Sequence, residues 1–99
     1  MENKIIIPFQ GVNVIGDTIG DIPTVLFLHG AGTANRSRFL GFRNYLKDAG
    51  LSSCAFDFIG HGETGGDLRK SSLQQRTDQV LAVIKQVQLG ANIVRMKFL

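Results

Sequence analysis

Residues 24–29 have the sequence Thr-Val-Leu-Phe-Leu-His and are followed by Gly30. The run is continuously apolar, contains β-branched and aromatic side chains, and shows no alternation with polar residues. Such a run is typical of a strand buried on both faces, and strands of this kind lie in the middle of parallel sheets. The segment therefore predicts a central strand, which Gly30 ends.

Outward from this strand, strand patterns alternate with helix patterns. Upstream, residues 4–9 and 11–19 predict an antiparallel hairpin, and Pro8 suits a sheet edge or a strand end. Downstream, the period of the apolar residues switches between helix and strand. The predicted elements are a helix over 37–49, a strand over 53–59, a loop over 60–70, a helix over 72–88 and a strand over 91–98.

Both predicted helices have an apolar face, which we expect to pack on the sheet. In the first helix this face consists of Phe39, Phe42, Tyr45, Leu46 and Ala49, and the opposite face consists of Arg38, Arg43, Lys47 and Asp48. In the second helix the apolar stripe consists of Leu73, Thr77, Val80, Leu81, Ile84 and Val87.

The order of elements predicts the α/β class. An antiparallel hairpin is followed by strand, helix, strand, helix and strand, and alternating strands and helices imply right-handed crossovers and a parallel sheet. No internal repeat, low-complexity stretch or linker divides the 99 residues. We therefore expect a single domain over residues 1–99.

Composition and charge exclude several classes of protein. With 43% apolar residues and one cysteine, the chain is neither a disordered tail nor a disulfide-stapled miniprotein. The net charge of +3 comes from basic residues that never occur more than two in a row, which disfavours a nucleic-acid or membrane-surface partner. No segment resembles a signal peptide or a membrane span. The expected location is the cytoplasm.

Two glycine-rich loops follow predicted strands, at 29–33 and 60–66. Ligand sites of open α/β sheets lie beyond the carboxyl ends of the strands. Backbone N–H groups in the first loop are suited to an oxyanion or a phosphate, and the alternative is a tight connection that needs glycine for steric reasons. His29 alone indicates a hydrogen-bonded structural residue more often than a base or a metal ligand.

Other kinds of site are disfavoured. Gly60–Gly65 matches the dinucleotide-binding Gly-x-Gly-x-x-Gly, but at least five residues separate it from the next predicted helix. No Gly-Lys-Ser/Thr follows either loop, and the two histidines and one cysteine lack the spacing of metal ligands, so no cofactor and no metal are expected. Cys54, within a predicted strand, is expected to be a packed thiol. The positions of Asp57 and Glu63 in the sequence would allow a carboxylate pair, but Asp57 is expected to cap its own turn or to accept backbone N–H groups there.

Two stretches together resemble the first half of an α/β-hydrolase, and the nearest subgroups are the monoacylglycerol-lipase-like and serine-aminopeptidase-like hydrolases. The first, residues 25–32, is Val-Leu-Phe-Leu-His-Gly-Ala-Gly and is similar to the strand and His-Gly of the family's oxyanion loop. The second, residues 56–64, is Phe-Asp-Phe-Ile-Gly-His-Gly-Glu-Thr and resembles the family's Asp-x-x-Gly-x-Gly-x-Ser turn, with Thr64 in place of serine.

The resemblance implies acyl transfer by an activated serine on a Gly-x-Ser-x-Gly elbow, followed in the chain by an acid and a histidine. Carried over to this chain, it assigns one oxyanion-binding N–H to Ala31, with His29, Gly30 and Gly32 shaping the loop. The residues expected to shape the neighbouring turn, a structural task, are Asp57, Gly60, His61, Gly62 and Thr64. The implied substrate is a small molecule with an ester or other acyl bond.

The printed sequence contains no Gly-x-Ser-x-Gly. In family order the elbow follows the last predicted strand, where residues 93–99 read Ile-Val-Arg-Met-Lys-Phe-Leu. We therefore expect an incomplete hydrolase domain, inactive alone, that results from a frameshift, a premature stop or a split gene. The alternative is a non-catalytic binding or assembly half-domain that associates with itself through an open strand edge bearing Val94, Met96 and Phe98.

Overall fold

A computed structural model describes residues 2–30, 34–67, 72–87 and 95–98, the last range by its backbone. These residues form five strands and two α-helices. The elements are β1 (Glu2–Phe9), β2 (Val12–Ile19), β3 (Val25–Leu28), α1 (Leu40–Asp48), β4 (Ser53–Phe56), α2 (Leu73–Val87) and β5 (Arg95–Phe98), and a 3₁₀ turn (Arg36–Phe39) precedes α1.

The strands form one mixed sheet in the order β1-β2-β4-β3-β5. β1 and β2 form an antiparallel hairpin, and β2 pairs antiparallel with β4. β3 pairs in parallel with β4 on one side and with β5 on the other. The predicted α/β class, the hairpin and the central place of residues 25–28 in the parallel part are confirmed.

Burial of β3 on both faces follows from its alternating side chains. On the face covered by α2, Leu26 and Leu28 pack in a core cluster. This cluster also contains Phe56 and Val83. Val25, Phe27, Phe39 and Ala55 form a smaller cluster on the face covered by α1. All four residues of β3 are buried, as its uninterrupted apolar sequence predicts.

The predicted core face of α1 is correct only in part, since Phe39 is buried and Leu46 packs against its cluster. Tyr45 is 69% exposed and Phe42 is 50% exposed, whereas Arg43, placed on the solvent face by the sequence pattern, is 1% exposed. Arg43 lies four residues after the buried Phe39 and therefore on the same side of the helix. Its guanidinium forms an ion pair with Asp17 of β2 in the interior, which accounts for the burial of Arg43 on the side of α1 that faces the sheet.

The predicted stripe of α2 is correct only in part. Val80 is buried, but Leu73 is 81% exposed and Leu81 is 59% exposed. The buried face includes Gln79, whose Oε1 accepts a hydrogen bond from the Ile59 backbone N–H at 2.9 Å. Gln79, which accepts a hydrogen bond from the turn after β4, is therefore buried on α2, whereas two leucines of the predicted stripe are exposed.

β4 and β5 differ most from their predicted bounds. β4 ends at Phe56, before the predicted end at residue 59. The Asp57 N–H still donates to the Ile15 carbonyl of β2, but the N–H groups of Phe58 and Ile59 donate to side chains outside the sheet ladder. The last strand is predicted over 91–98 and observed over Arg95–Phe98; residues 91–94 lie outside the described ranges. β5 is the outermost strand beside β3.

Candidate functional site

The two glycine-rich loops leave neighbouring parallel strands at the same edge of the sheet. His29 and Gly30 follow β3, and the turn over residues 57–66 follows β4. Since the carboxyl ends of parallel strands meet at one edge, the two segments lie in contact. The His29 and His61 ring centroids are 4.8 Å apart.

His29 is 1% exposed and fully hydrogen-bonded at its ring. Its Nε2 accepts a hydrogen bond from the Phe58 backbone N–H at 3.0 Å, so the ring proton lies on Nδ1 and is donated to the Gly30 carbonyl at 2.6 Å. The His29 carbonyl accepts a hydrogen bond from Nη2 of Arg76 at 2.9 Å. The imidazole thus joins the start of the first loop to the second turn.

Burial lowers the pKa of His29 below its usual value of 6.5. The neighbouring His61 ring and the charge of Arg76 act in the same direction, whereas the hydrogen bond to the Gly30 carbonyl and the charge of Asp57 raise the pKa. The unfolded chain therefore takes up this proton at a higher pH than the native chain, and native stability falls as the pH drops below 6.5. We expect the urea midpoint to be lower at about pH 5.5 than at about pH 7.5. In His29→Gln the difference between the two midpoints should shrink; an undiminished difference would assign the dependence to other groups.

The turn after β4 is closed by its own backbone. The Gly60 N–H donates to the Gly65 carbonyl at 2.9 Å, and the Thr64 N–H donates to the His61 carbonyl at 2.9 Å. Oγ1 of the buried Thr64 accepts a hydrogen bond from the Ile15 N–H of β2 at 2.9 Å. The threonine hydroxyl therefore joins the turn to the hairpin.

His61 lies in this turn and is 4% exposed. Its Nδ1 donates to the Ile59 carbonyl at 3.1 Å, which leaves Nε2 as an acceptor. Within the described part of the chain, this Nε2 is a buried polar atom that has no hydrogen-bond partner. Such atoms are uncommon in folded proteins, because an unpaired buried acceptor loses its hydration without compensation.

The carboxylate of Asp57 is the centre of the second turn and is 1% exposed. It accepts hydrogen bonds from the backbone N–H groups of Arg36 at 2.7 Å and Glu63 at 3.0 Å, and it forms an ion pair with the Arg36 guanidinium. The expectation that Asp57 accepts backbone N–H groups in its own turn is confirmed. Gly62 has φ +50°, and a Cβ there would lie 2.4 Å from Oδ2 of Asp57. The approach of this carboxylate to the backbone therefore requires glycine.

Arg36 and Asp17 belong to the same charge network, which the sequence analysis missed. Arg36 donates from Nε to Asp17 at 2.9 Å and from Nη2 to Glu63 at 2.8 Å. Burial by itself lowers the pKa of Arg36, but the hydrogen bonds to Asp17 and Glu63 and the charge of Asp57 outweigh it and raise the pKa above its usual value. Asp17 also pairs with Arg43. The signal in the sequence was an acidic residue, Asp17, inside the predicted strand over residues 11–19.

A cleft of about 360 Å³ opens beside this network. Its wall includes Asp17, Arg36, Arg43, Asp57 and Glu63, and these charges are already paired with one another. Hydrogen bonds from Lys4 and Arg36 lower the pKa of the exposed Glu63. Among the described residues, no group of three or more His, Cys, Asp or Glu side chains is arranged to hold a metal ion.

The structure brings most of the sequence-predicted site residues together. Gly30 follows His29, and the turn residues Asp57, Gly60, His61, Gly62 and Thr64 surround the same strand ends. Ala31 and Gly32 lie outside the described residues. Cys54 is buried in β4, and burial raises the pKa of its thiol to about 12, so it is a packed thiol. The helix after Gly60–Gly65 begins at Leu73, as expected for a turn that is not a dinucleotide fingerprint.

Solved structures of other proteins match the chain over nearly its whole length. A thioesterase domain from the curacin biosynthetic pathway matches 99% of this chain and 37% of its own, with a TM-score of 0.85 and 20% identity. An α/β-hydrolase-fold protein from Burkholderia ambifaria matches 97% of this chain and 33% of its own, with a TM-score of 0.75 and 16% identity. This chain has a partial α/β-hydrolase fold.

An epoxide hydrolase from Vigna radiata is also similar, with a TM-score of 0.82 and 20% identity over 98% of this chain and 32% of its own. The chain spans about a third of the length of these α/β-hydrolase-fold structures. No protein-family model and no curated protein matches the sequence. In the described ranges, neither helix combines the length and the apolar character that crossing a membrane requires.

Proposed function

We propose that residues 1–99 form a single, incomplete domain of a serine α/β-hydrolase that cleaves ester or other acyl bonds. The observation that carries the proposal is the contact between the loop after β3 and the turn after β4, at the carboxyl ends of these two parallel strands. β5 is the next parallel strand beside β3. In this arrangement the N–H of Ala31 donates to the developing oxyanion, and His29, Gly30 and Gly32 shape the loop. The structural matches support the fold that this chemistry uses.

The remaining catalytic groups come from polypeptide beyond the printed sequence. Because no Gly-x-Ser-x-Gly occurs in the 99 residues, the nucleophile, the acid and the base are all supplied from elsewhere, and the chain alone is inactive. An oxyanion hole without a nucleophile retains little catalysis. The chemistry uses no cofactor and no metal, its substrate is a small acyl compound, and we place the protein in the cytoplasm, which suits a single unpaired cysteine.

A second candidate, an assembly half-domain, is favoured by the apolar surface of both helices. Phe42 and Tyr45 stack on the outer face of α1 with ring centroids 6.4 Å apart. On α2, Leu73 and Leu81 border a mostly apolar hollow of about 150 Å³. Exposed apolar patches mark association surfaces. In the first candidate these surfaces pack against the rest of the domain, and in the second they pack against another copy of this chain, which also pairs through its strand edge.

A fluorophosphonate probe distinguishes the two candidates. The source gene is sequenced beyond codon 99 in all three frames, and the 99-residue chain and the longest restored polypeptide are treated with the probe. We expect labelling of the longer polypeptide at a Gly-x-Ser-x-Gly serine, its loss on replacement of that serine by alanine, and no labelling of the short chain. If no such elbow exists downstream and the short chain sediments as a defined oligomer that Leu81→Lys dissociates, the enzyme proposal is wrong and the assembly candidate stands.

A further inference from the structure

We propose that Arg36 is a positioning residue, which fixes the end of the β3–α1 connection on the turn after β4. The inference rests on the proposed function, because this connection contains the loop assigned to the oxyanion. Arg36 lies at the start of the 3₁₀ turn, and nothing in its sequence context distinguishes it from the other scattered basic residues. Its contacts do distinguish it.

The first end of the connection is held by His29. Its ring accepts a hydrogen bond from the Phe58 N–H at 3.0 Å, and its carbonyl accepts one from Arg76 at 2.9 Å. The Arg76 guanidinium in turn lies over the Phe58 ring, 3.8 Å from the ring centroid. The point at which the chain leaves β3 is therefore fixed relative to Phe58.

The second end is held by Arg36 on the adjacent residue, Asp57. The Arg36 backbone N–H donates to Oδ1 of Asp57 at 2.7 Å, while its guanidinium pairs with Oδ2. Both ends of the connection are thus attached to two consecutive residues of one turn. The described parts of the connection on either side are therefore held on the same turn.

Arginine suits this position because its guanidinium has several donors in one rigid plane. Three carboxylates surround it: Asp17 from β2, and Asp57 and Glu63 from the turn after β4. Each accepts a hydrogen bond from a different guanidinium nitrogen. The side chain is only 12% exposed, so water replaces little of this interaction. A lysine has a single ammonium group and cannot reproduce contacts spread over three nitrogens.

These contacts allow a simpler explanation, in which Arg36 only adds to global stability. The two explanations differ in which backbone amides exchange faster when Arg36 is replaced. A positioning role affects amides of the connection, such as those of Ser37 and Arg38, which donate to Asn35. A purely stabilising role affects the ladder amides of β3 and β4 by the same factor, because those amides exchange through global unfolding.

Native-state amide hydrogen exchange on the 99-residue chain tests the proposal with three variants: Arg36→Gln, Arg36→Lys and the control Arg38→Gln. Arg38 is exposed and lies two residues away, with its guanidinium 5.9 Å from the Phe39 ring, so its replacement removes the same charge. In Arg36→Gln we expect exchange at residues 36–38 to accelerate roughly 10- to 100-fold relative to the ladder amides. Arg36→Lys should recover part of the protection, and Arg38→Gln should leave it unchanged.

Equal acceleration at the connection and in β3 and β4 would show that Arg36 is a general stabiliser, and no acceleration would show that it does not hold the connection. Either result overturns the positioning role and leaves the proposed hydrolase function untouched, since that function is tested by fluorophosphonate labelling. Conversely, a connection held by Arg36 in a protein whose restored polypeptide is never labelled would contradict the proposed function alone.

Discussion

Asp17→Asn is expected to lower the free energy of unfolding by about 3–5 kcal/mol, because it leaves buried positive charge without its partner. Asp17 pairs with Arg43, which is 1% exposed, and with Arg36, which is largely buried. Arg43 keeps its hydrogen bond to Ser53 Oγ at 2.8 Å, but a neutral hydroxyl does not replace a carboxylate. For a domain of ordinary stability, about 5–15 kcal/mol, such a loss is a large fraction of the total. Urea denaturation followed by circular dichroism measures it.

Asp48→Asn is the matched control, since Asp48 is exposed at the end of α1 and its change should stay within about 0.5 kcal/mol. The double variant Asp17→Asn/Arg43→Met should recover part of the stability lost in Asp17→Asn, because it removes the unpaired guanidinium. A loss below about 1 kcal/mol in Asp17→Asn would mean that the network contributes far less than its burial implies.

Gly16→Ala is expected to destabilise the protein by about 3 kcal/mol through a clash inside the sheet. Gly16 of β2 pairs with Phe56 of β4, and a Cβ at this position would lie 2.4 Å from the Ala55 carbonyl oxygen and 2.9 Å from Phe56 Cβ. A backbone oxygen cannot move aside without breaking the β2–β4 ladder. The displacement would also shift Asp17, the next residue. Thermal and urea unfolding of the variant measure the effect.

Gly41→Ala is the control of opposite sign. Gly41 lies in α1, is exposed, and a Cβ there would meet nothing within 4 Å. Alanine in a helix is favoured over glycine, so this variant should gain roughly 0.5–1 kcal/mol. If both alanine variants changed stability equally, the close approach of β2 and β4 at Gly16 would not explain the first result.

The class and the order of the elements were predictable because both depend on local patterns. The apolar run in residues 24–29 gave a strand buried on both faces, and its four central residues are buried. The glycines and the pair of motifs around His29 and Asp57 pointed to the strand ends that the fold brings together. Hydrophobic periodicity reports whether a side chain meets water or protein, and that information is present within a few residues.

The phases of the two helices were not predictable in the same way. Periodicity placed Arg43 in solvent and Tyr45 in the core, and the structure reverses both. A stripe of apolar side chains identifies the core face of a helix only when no buried charge on another element requires a partner. Asp17 in β2 supplies such a charge, and it lies far from Arg43 in the sequence.

The amino-acid sequence by itself therefore determined the α/β class, the hairpin, the parallel strands and the two loops at their ends. Only the tertiary structure decided which charges meet: β2, the 3₁₀ turn with α1, and the turn after β4 together supply one network of Asp17, Arg36, Arg43, Asp57 and Glu63. The reason is physical. Burial preference is a property of each side chain and its near neighbours, whereas an ion pair depends on two residues that folding brings together across the chain.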